Sequence, residues 1–198
     1  MDKHPQPAAL AAVTAGGTIN RRRLLAGGAA TLALALPGLG GARESVAQRL
    51  EALGITLPEI PPPVANYVPY RTAGGLVFCA GQIAFRDGEL LHPGKVPGDV
   101  SIEDAQAAAR QCAINLLAAV SAALDGDLQR VEACVRLQGF VASADDFTAQ
   151  PQVINGASDL MVAVLGDAGR HSRLAVGVNT LPLNACVEVS AIFAVGPA

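Results

Sequence analysis

Hydrophobic positions along this 198-residue chain change their period several times, and each change marks an element. From Ser101 to Leu124 they recur at helical spacing, with Ile102, Ala105, Ala109, Cys112, Leu116, Val120 and Ala123 forming one stripe. Ser101 caps that helix, Glu103 and Asp104 complement the positive end of its dipole, and Asp125-Gly126 ends it. From Val131 to Val141 the pattern turns to strand alternation, placing Val131, Ala133, Val135 and Leu137 on one face. A second helix is predicted over Gln152 to Leu165, stopped by Gly166. Gly75 to Ala80 is a β-rich run. Asp87-Gly88, between Gln82–Arg86 and Glu89–His92, predicts a hairpin because both central positions accept positive φ. Ser172 to Val195, SRLAVGVNTLPLNACVEVSAIFAV, closes the chain as two β-rich runs joined at Leu181-Pro182.

The order β-β-α-β-α-β-β predicts an α+β domain, a mixed β-sheet with two helices packed on one face. Its other face is left bare in a chain that is 51% hydrophobic, and self-association is the direct way to cover it. Ahead of this domain, assigned to residues 70–198, the segment 43–69 holds two features. Arg43 to Leu53 reads as a short amphipathic helix stopped by Gly54, and Leu57 to Pro69 as a proline-rich extended stretch.

Residues 1–42 follow other rules. Arg21-Arg22-Arg23 precedes a mildly apolar stretch from Leu24 to Leu36, then Pro37 and a small-residue exit at Gly40-Gly41-Ala42. Those 13 residues are too few to span a bilayer, where about 20 are needed. A basic flank, short apolar region and small-residue exit describe a secretory signal peptide, and the arginines with their Ala/Gly-rich follower resemble a twin-arginine export signal. The expected location is therefore outside the cytoplasm, in the periplasm, with no stable membrane insertion after processing. The alternative is an unselected extension on a cytoplasmic protein.

Charge sharpens once the leader is set aside. The chain carries 14 Lys+Arg and 17 Asp+Glu, and residues 1–42 contain only Lys3, Arg21, Arg22, Arg23 and Asp2 of these. The remaining 156 residues hold 10 basic against 16 acidic side chains, a net charge near −6. An acidic body argues against nucleic-acid binding, which depends on Lys and Arg neutralising phosphates. Cys79, Cys112, Cys134 and Cys186 lie far apart inside apolar patterns and read as small hydrophobes. No His/Cys/carboxylate cluster has metal-ligand spacing, so neither metal nor other cofactor is expected.

Arg173 and Glu188 are the strong charges of the closing segment. If its two runs form a tight hairpin about Thr180-Leu181, residues whose numbers add to 361 face each other. Arg173 and Glu188 are such a pair, with Cβ atoms about 5 Å apart on one face. The guanidinium then offers a planar fork for a carboxylate ligand while the glutamate moves a proton, or the two form a self-satisfied ion pair.

The pattern S-R-x-A-V-x-V-x-x-L-P-x-x-A-x-V-E-V resembles the closing signature of the RidA/YjgF family, the imine/enamine deaminases formerly called endoribonuclease L-PSP. NYVPYRTAGGLVFCAGQIA and FTAQPQVINGASDL match in the family's order, so the likeness runs from about Leu53 to Val195. It is to a branch distinct from the best-known members. The resemblance implies a chorismate-mutase-like homotrimer with ligand clefts between subunits and a small carboxylate substrate. Arg173 corresponds to the clamp on the substrate carboxylate, and Glu188 to the group that positions the attacking water. The resemblance further implies that Tyr67 lines the cleft and hydrogen-bonds substrate or water, that Gly81 offers its backbone N–H to the carboxylate, and that Asn155 corresponds to the site asparagine of the second helix. Two departures stand beside these matches: Ala80 replaces a frequent serine before Gly-Gln, and Ala175 replaces a frequent cysteine. The implied activity is hydrolysis of 2-imino or enamine acids to 2-oxo acids and ammonia. The alternatives are a non-catalytic trimer that binds small carboxylates, or a related pathway-specific hydrolase or tautomerase.

The leader gives a first prediction. Fractionation of the native host is expected to find a species of about 156 residues, beginning near Arg43, outside the cytoplasm. Replacing Arg21, Arg22 and Arg23 with lysine is expected to retain the precursor inside. A full-length cytoplasmic protein would contradict the export signal.

Overall fold

The computed structural model describes residues 44–60 and 66–197. The leader and part of the proline-rich stretch lie outside them. Residues 42–198 form one compact unit.

Helix α1 (Val46–Ala52) opens that unit with a capping box, in which Ser45 and Gln48 exchange side-chain-to-backbone hydrogen bonds. Strands β1 (Tyr70–Ala73) and β2 (Leu76–Ile83) form a hairpin through Gly74 and Gly75, both at positive φ. The predicted Asp87-Gly88 turn joins β3 (Phe85–Arg86) to β4 (Glu89–Leu90), with φ of 53° and 83° at its two residues. Helix α2 (Ile102–Ala123) starts at Ser101, whose hydroxyl accepts from the Asp104 N–H at 3.0 Å. Strand β5 (Val131–Ala142), helix α3 (Gln150–Leu165), strand β6 (Ser172–Val178) and strand β7 (Val187–Val195) complete the chain. Helix α3 begins two residues earlier than expected because Pro151 is tolerated in a first turn, where its missing N–H has no helical partner to lose.

The main sheet is mixed, ordered β1-β2-β7-β5-β6, with only β5 and β6 parallel. This α+β layering agrees with the sequence reading; the closing hairpin does not. Strands β6 and β7 are not partners, because β5 lies between them, pairing with β6 through Leu137↔Arg173 and with β7 through Phe140↔Glu188. The β5–α3–β6 crossover makes its two strands parallel neighbours, and β7 then pairs on the other side of β5.

One sheet face is the core. Val77 and Cys79 on β2, Leu137 and Val141 on β5, and Val187, Val189, Ala191 and Phe193 on β7 are buried together with α2 and α3 residues such as Leu116, Val120, Ile154 and Met161. The predicted face assignment on β5 needs correction. Register shifts at Val131/Ala133 and Cys134/Arg136 rotate the strand, so Cys134 is 1% exposed and Val135, expected beside Leu137, is 42% exposed. On the other face Phe78 and Val135 are exposed and Phe140 and Ile192 half-buried, an apolar surface that no helix among the described residues covers.

The helices approach closely at Gly156. A Cβ there would overlap the backbone carbonyl of Gln106 on α2. Gly156→Ala is expected to cost about 1–3 kcal/mol, the usual range for forcing atoms into a packed interior. Thermal unfolding would show a Tm lower by several degrees, and an unchanged Tm would contradict the close α2–α3 contact.

Candidate functional site

The predicted site residues fall into two groups. Glu188 lies on β7 with its side chain on the uncovered face, level with Phe140 on β5 and Ile83 on β2. Strand β2 bulges opposite it: the register passes from Cys79↔Ala191 to Gln82↔Val189, so Ala80 and Gly81 together face one residue of β7. A Cβ at Gly81 would overlap the Glu188 carboxylate, so glycine is required for the glutamate to lie across the bulge. The Ala80 N–H donates to the Pro69 carbonyl at 2.9 Å, which carries the exposed Tyr67, two residues earlier, past the same bulge. Glu188, Gly81 and Tyr67 thus mark one end of β2 and β7.

That end is held from beneath by residues the sequence reading passed over. Asn115, 7% exposed inside the apolar stripe of α2, donates both amide hydrogens at 3.0 Å, to the carbonyls of Ile83 and Phe85. Gln111 donates to the Asn115 side-chain oxygen at 3.0 Å. Two amides in an otherwise apolar stretch, four residues apart on one helix face, were the available signal.

Arg173 belongs to the second group. Its β5 partner Leu137 faces the helices, and the guanidinium reaches α3, where Nη1 donates to Asn155 Oδ1 at 2.8 Å and to Ser158 Oγ at 3.1 Å. Asn155 is the sixth residue of α3, so it serves this contact rather than a helix cap. Ser158 Oγ lies 3.0 Å from His171 Nε2, and His171 Nδ1 lies 2.6 Å from the Gly169 carbonyl. Neither Ser158 nor His171 was singled out from sequence, although His171 stands two residues before Arg173.

The structure therefore overturns the direct Arg173–Glu188 pair. Leu137 and Phe140, their β5 partners, stand three residues apart and face opposite sides of the sheet. Two strand spacings of about 4.8 Å and a three-residue offset put the two Cα atoms about 14 Å apart. The self-satisfied ion pair is excluded with it: among the described residues the Arg173 guanidinium bonds to neutral side chains, and the residue is exposed.

Burial pushes the Glu188 carboxyl upward from its ordinary value, which suits a group that must both take and give a proton. Burial also drives the thiols up, Cys79 and Cys134 to about 12 and Cys186 to about 11, so they remain protonated core residues rather than nucleophiles. Among the described residues no group of three or more His, Cys, Asp or Glu is placed to hold a metal, and no helix is long and apolar enough to cross a membrane.

Comparison with known proteins gives this arrangement a context. Residues 47–195 match the family model described as "YjgF/chorismate_mutase-like, putative endoribonuclease". Protein TCP17 of Trypanosoma cruzi is 44% identical over 148 residues, covering 74% of this chain and 92% of that relative. The crystal structure of Atu1372 from Agrobacterium tumefaciens, a protein of unknown function, is similar at 46% identity and a TM-score of 0.72, over 76% of this chain and 92% of that one.

The raised Glu188 sets a pH dependence. Its native form holds a proton more tightly than the unfolded chain, so stability falls as pH rises from the usual glutamate range through the elevated value. Glu188→Gln is expected to raise Tm slightly above that window and to leave it unchanged below the usual range. Thermal unfolding from about pH 4 to pH 8 checks this. A gain that did not vary with pH would contradict a desolvated carboxylate.

Proposed function

This chain belongs to the YjgF/chorismate mutase-like family, and on that footing we propose that it hydrolyses reactive 2-imino and enamine acids to 2-oxo acids and ammonia. One observation carries the form of the site. Within one chain, the cation that would clamp a carboxylate and the carboxylate that would move a proton face opposite sides of the sheet. A single ligand meets both only where Arg173 of one copy stands against Glu188, Gly81 and Tyr67 of another. The exposed edge strand β6 and the uncovered apolar face suit such an assembly, and a homotrimer closes it with three equivalent clefts.

In that cleft Arg173 fixes the ligand carboxylate and so aims the adjacent C=N carbon at a water held by Glu188. As the water oxygen adds to carbon and the C=N π pair moves onto nitrogen, Glu188 takes one water proton and passes it to that nitrogen. In the resulting carbinolamine Glu188 takes the hydroxyl proton as the C=O bond forms and the C–N bond breaks, and delivers it to the departing ammonia. The Gly81 backbone N–H and the Tyr67 hydroxyl supply further hydrogen bonds to ligand or water. No metal or nucleotide is needed. With residues 1–42 read as an export signal, the reaction takes place outside the cytoplasm.

A second reading, carboxylate binding without turnover, draws support from Ala80 and Ala175. Ala80 sits in the β2 bulge and Ala175 two residues beyond Arg173 on the same face, and neither offers a polar group to a ligand.

The test is a coupled assay of ammonia release from freshly generated imino acids. Arg173→Ala is expected to lower kcat/KM by at least about 100-fold, the loss of a charge-assisted bidentate contact. Glu188→Gln is expected to keep carboxylate affinity while lowering kcat. Residues 43–198 are expected to run as a trimer in light scattering. Wild-type turnover no faster than the uncatalysed reaction, with carboxylate binding intact, would favour the second reading.

A further inference from the structure

The Arg173 guanidinium is already half engaged. Nη1 carries two hydrogens, and its contacts with Asn155 Oδ1 at 2.8 Å and Ser158 Oγ at 3.1 Å use both. A carboxylate approaching end-on would need Nη1 and Nη2 together, so the edge formed by Nε and Nη2 is the one left for a ligand.

The Ser158 hydroxyl is itself oriented. The Gly169 carbonyl, 2.6 Å from His171 Nδ1, can only accept, so Nδ1 carries the ring hydrogen. In the tautomer with that hydrogen alone, Nε2 is an acceptor, and the single hydroxyl hydrogen of Ser158 points to it across 3.0 Å. Ser158 Oγ is left with lone pairs for Arg173 and no hydrogen to turn against it. The anchor is rigid, because Gly169 is packed so tightly against the Met161 carbonyl of α3 that a Cβ would overlap it. The start of β6 has a separate fastening: Ser172 Oγ donates to the Val135 carbonyl at 2.7 Å, so the strand does not depend on His171 for its place.

We propose that His171, acting through Ser158, is a positioning residue that holds the Arg173 guanidinium with its Nε–Nη2 edge toward the ligand carboxylate. This rests on the reading that Arg173 clamps a carboxylate. The relay fixes which way the fork points and touches no reacting atom, so its loss acts on binding in ground and transition states alike.

The full-length protein is tested with two readouts: the affinity for pyruvate, a stable 2-oxo acid, by calorimetry, and steady-state ammonia release. Ser158→Ala and His171→Phe are each expected to raise the pyruvate Kd and KM about tenfold while kcat changes less than about twofold. Ser158→Thr keeps a hydroxyl, and His171→Gln keeps an acceptor opposite Ser158, so both are expected to recover most of the loss. Should Ser158→Ala leave Kd and KM unchanged while Arg173→Ala raises them, the relay is overturned and the clamp survives. Should Arg173→Ala itself leave pyruvate affinity unchanged, the clamp fails and the relay with it. Thermal unfolding accompanies each variant. If Ser158→Thr matches the wild-type Tm yet binds pyruvate no better than Ser158→Ala, the hydroxyl has no positioning role and the proposal falls.

Discussion

Strand β5 lies between β6 and β7, and the rest of the molecule follows from that placement. A parallel β5–α3–β6 unit needs a crossover helix, and α3 packs where the core face of β5 receives it. Gly139 on that face leaves room for Ile154, since a Cβ there would overlap its side chain. Once β6 stands on the far side of β5, Arg173 looks toward α3 while Glu188 looks away from it. The chain therefore carries the two halves of the proposed site on opposite sides of its sheet.

Each half-site is set by a local constraint rather than by its charge. The Glu188 carboxylate lies across the β2 bulge because residue 81 has no side chain, and the bulge end is pinned to α2 by Asn115. The Arg173 guanidinium is held by Asn155 and Ser158 on α3. Partial burial lifts the Glu188 carboxyl, while Arg173 is exposed. A cation with an exposed side and a partly shielded base are complementary, and the proposed trimer would bring these halves together without moving either.

Much of this was legible in the sequence where local rules apply. The α2 stripe with its Ser101 cap, the Asp87-Gly88 turn and the Gly166 stop all act within a few residues, and the structure has each of them. The identities of Arg173, Glu188, Gly81, Asn155 and Tyr67 as candidates came from pattern and resemblance. Their grouping was not legible. Two adjacent β-runs joined by a short connection read as a hairpin, and nothing within them records that a strand 30 residues upstream would intervene. The face of Val135 was misread for a related reason, since a bulge inverts alternation without changing composition. Ser158 and His171 were missed because their role comes from two turns of tertiary contact rather than from spacing.

The proposed site requires one ligand to be held by Arg173 of one subunit and Glu188 of the next. Co-assembly of two inactive variants tests it most directly. In a cyclic trimer mixed from Arg173→Ala and Glu188→Gln subunits, one junction always joins an intact arginine to an intact glutamate. Random equal mixing therefore predicts recovery of about one quarter of wild-type ammonia release, with mixed assembly verified by differently tagged subunits. Mixed trimers that stay as inactive as either variant alone would contradict the shared site.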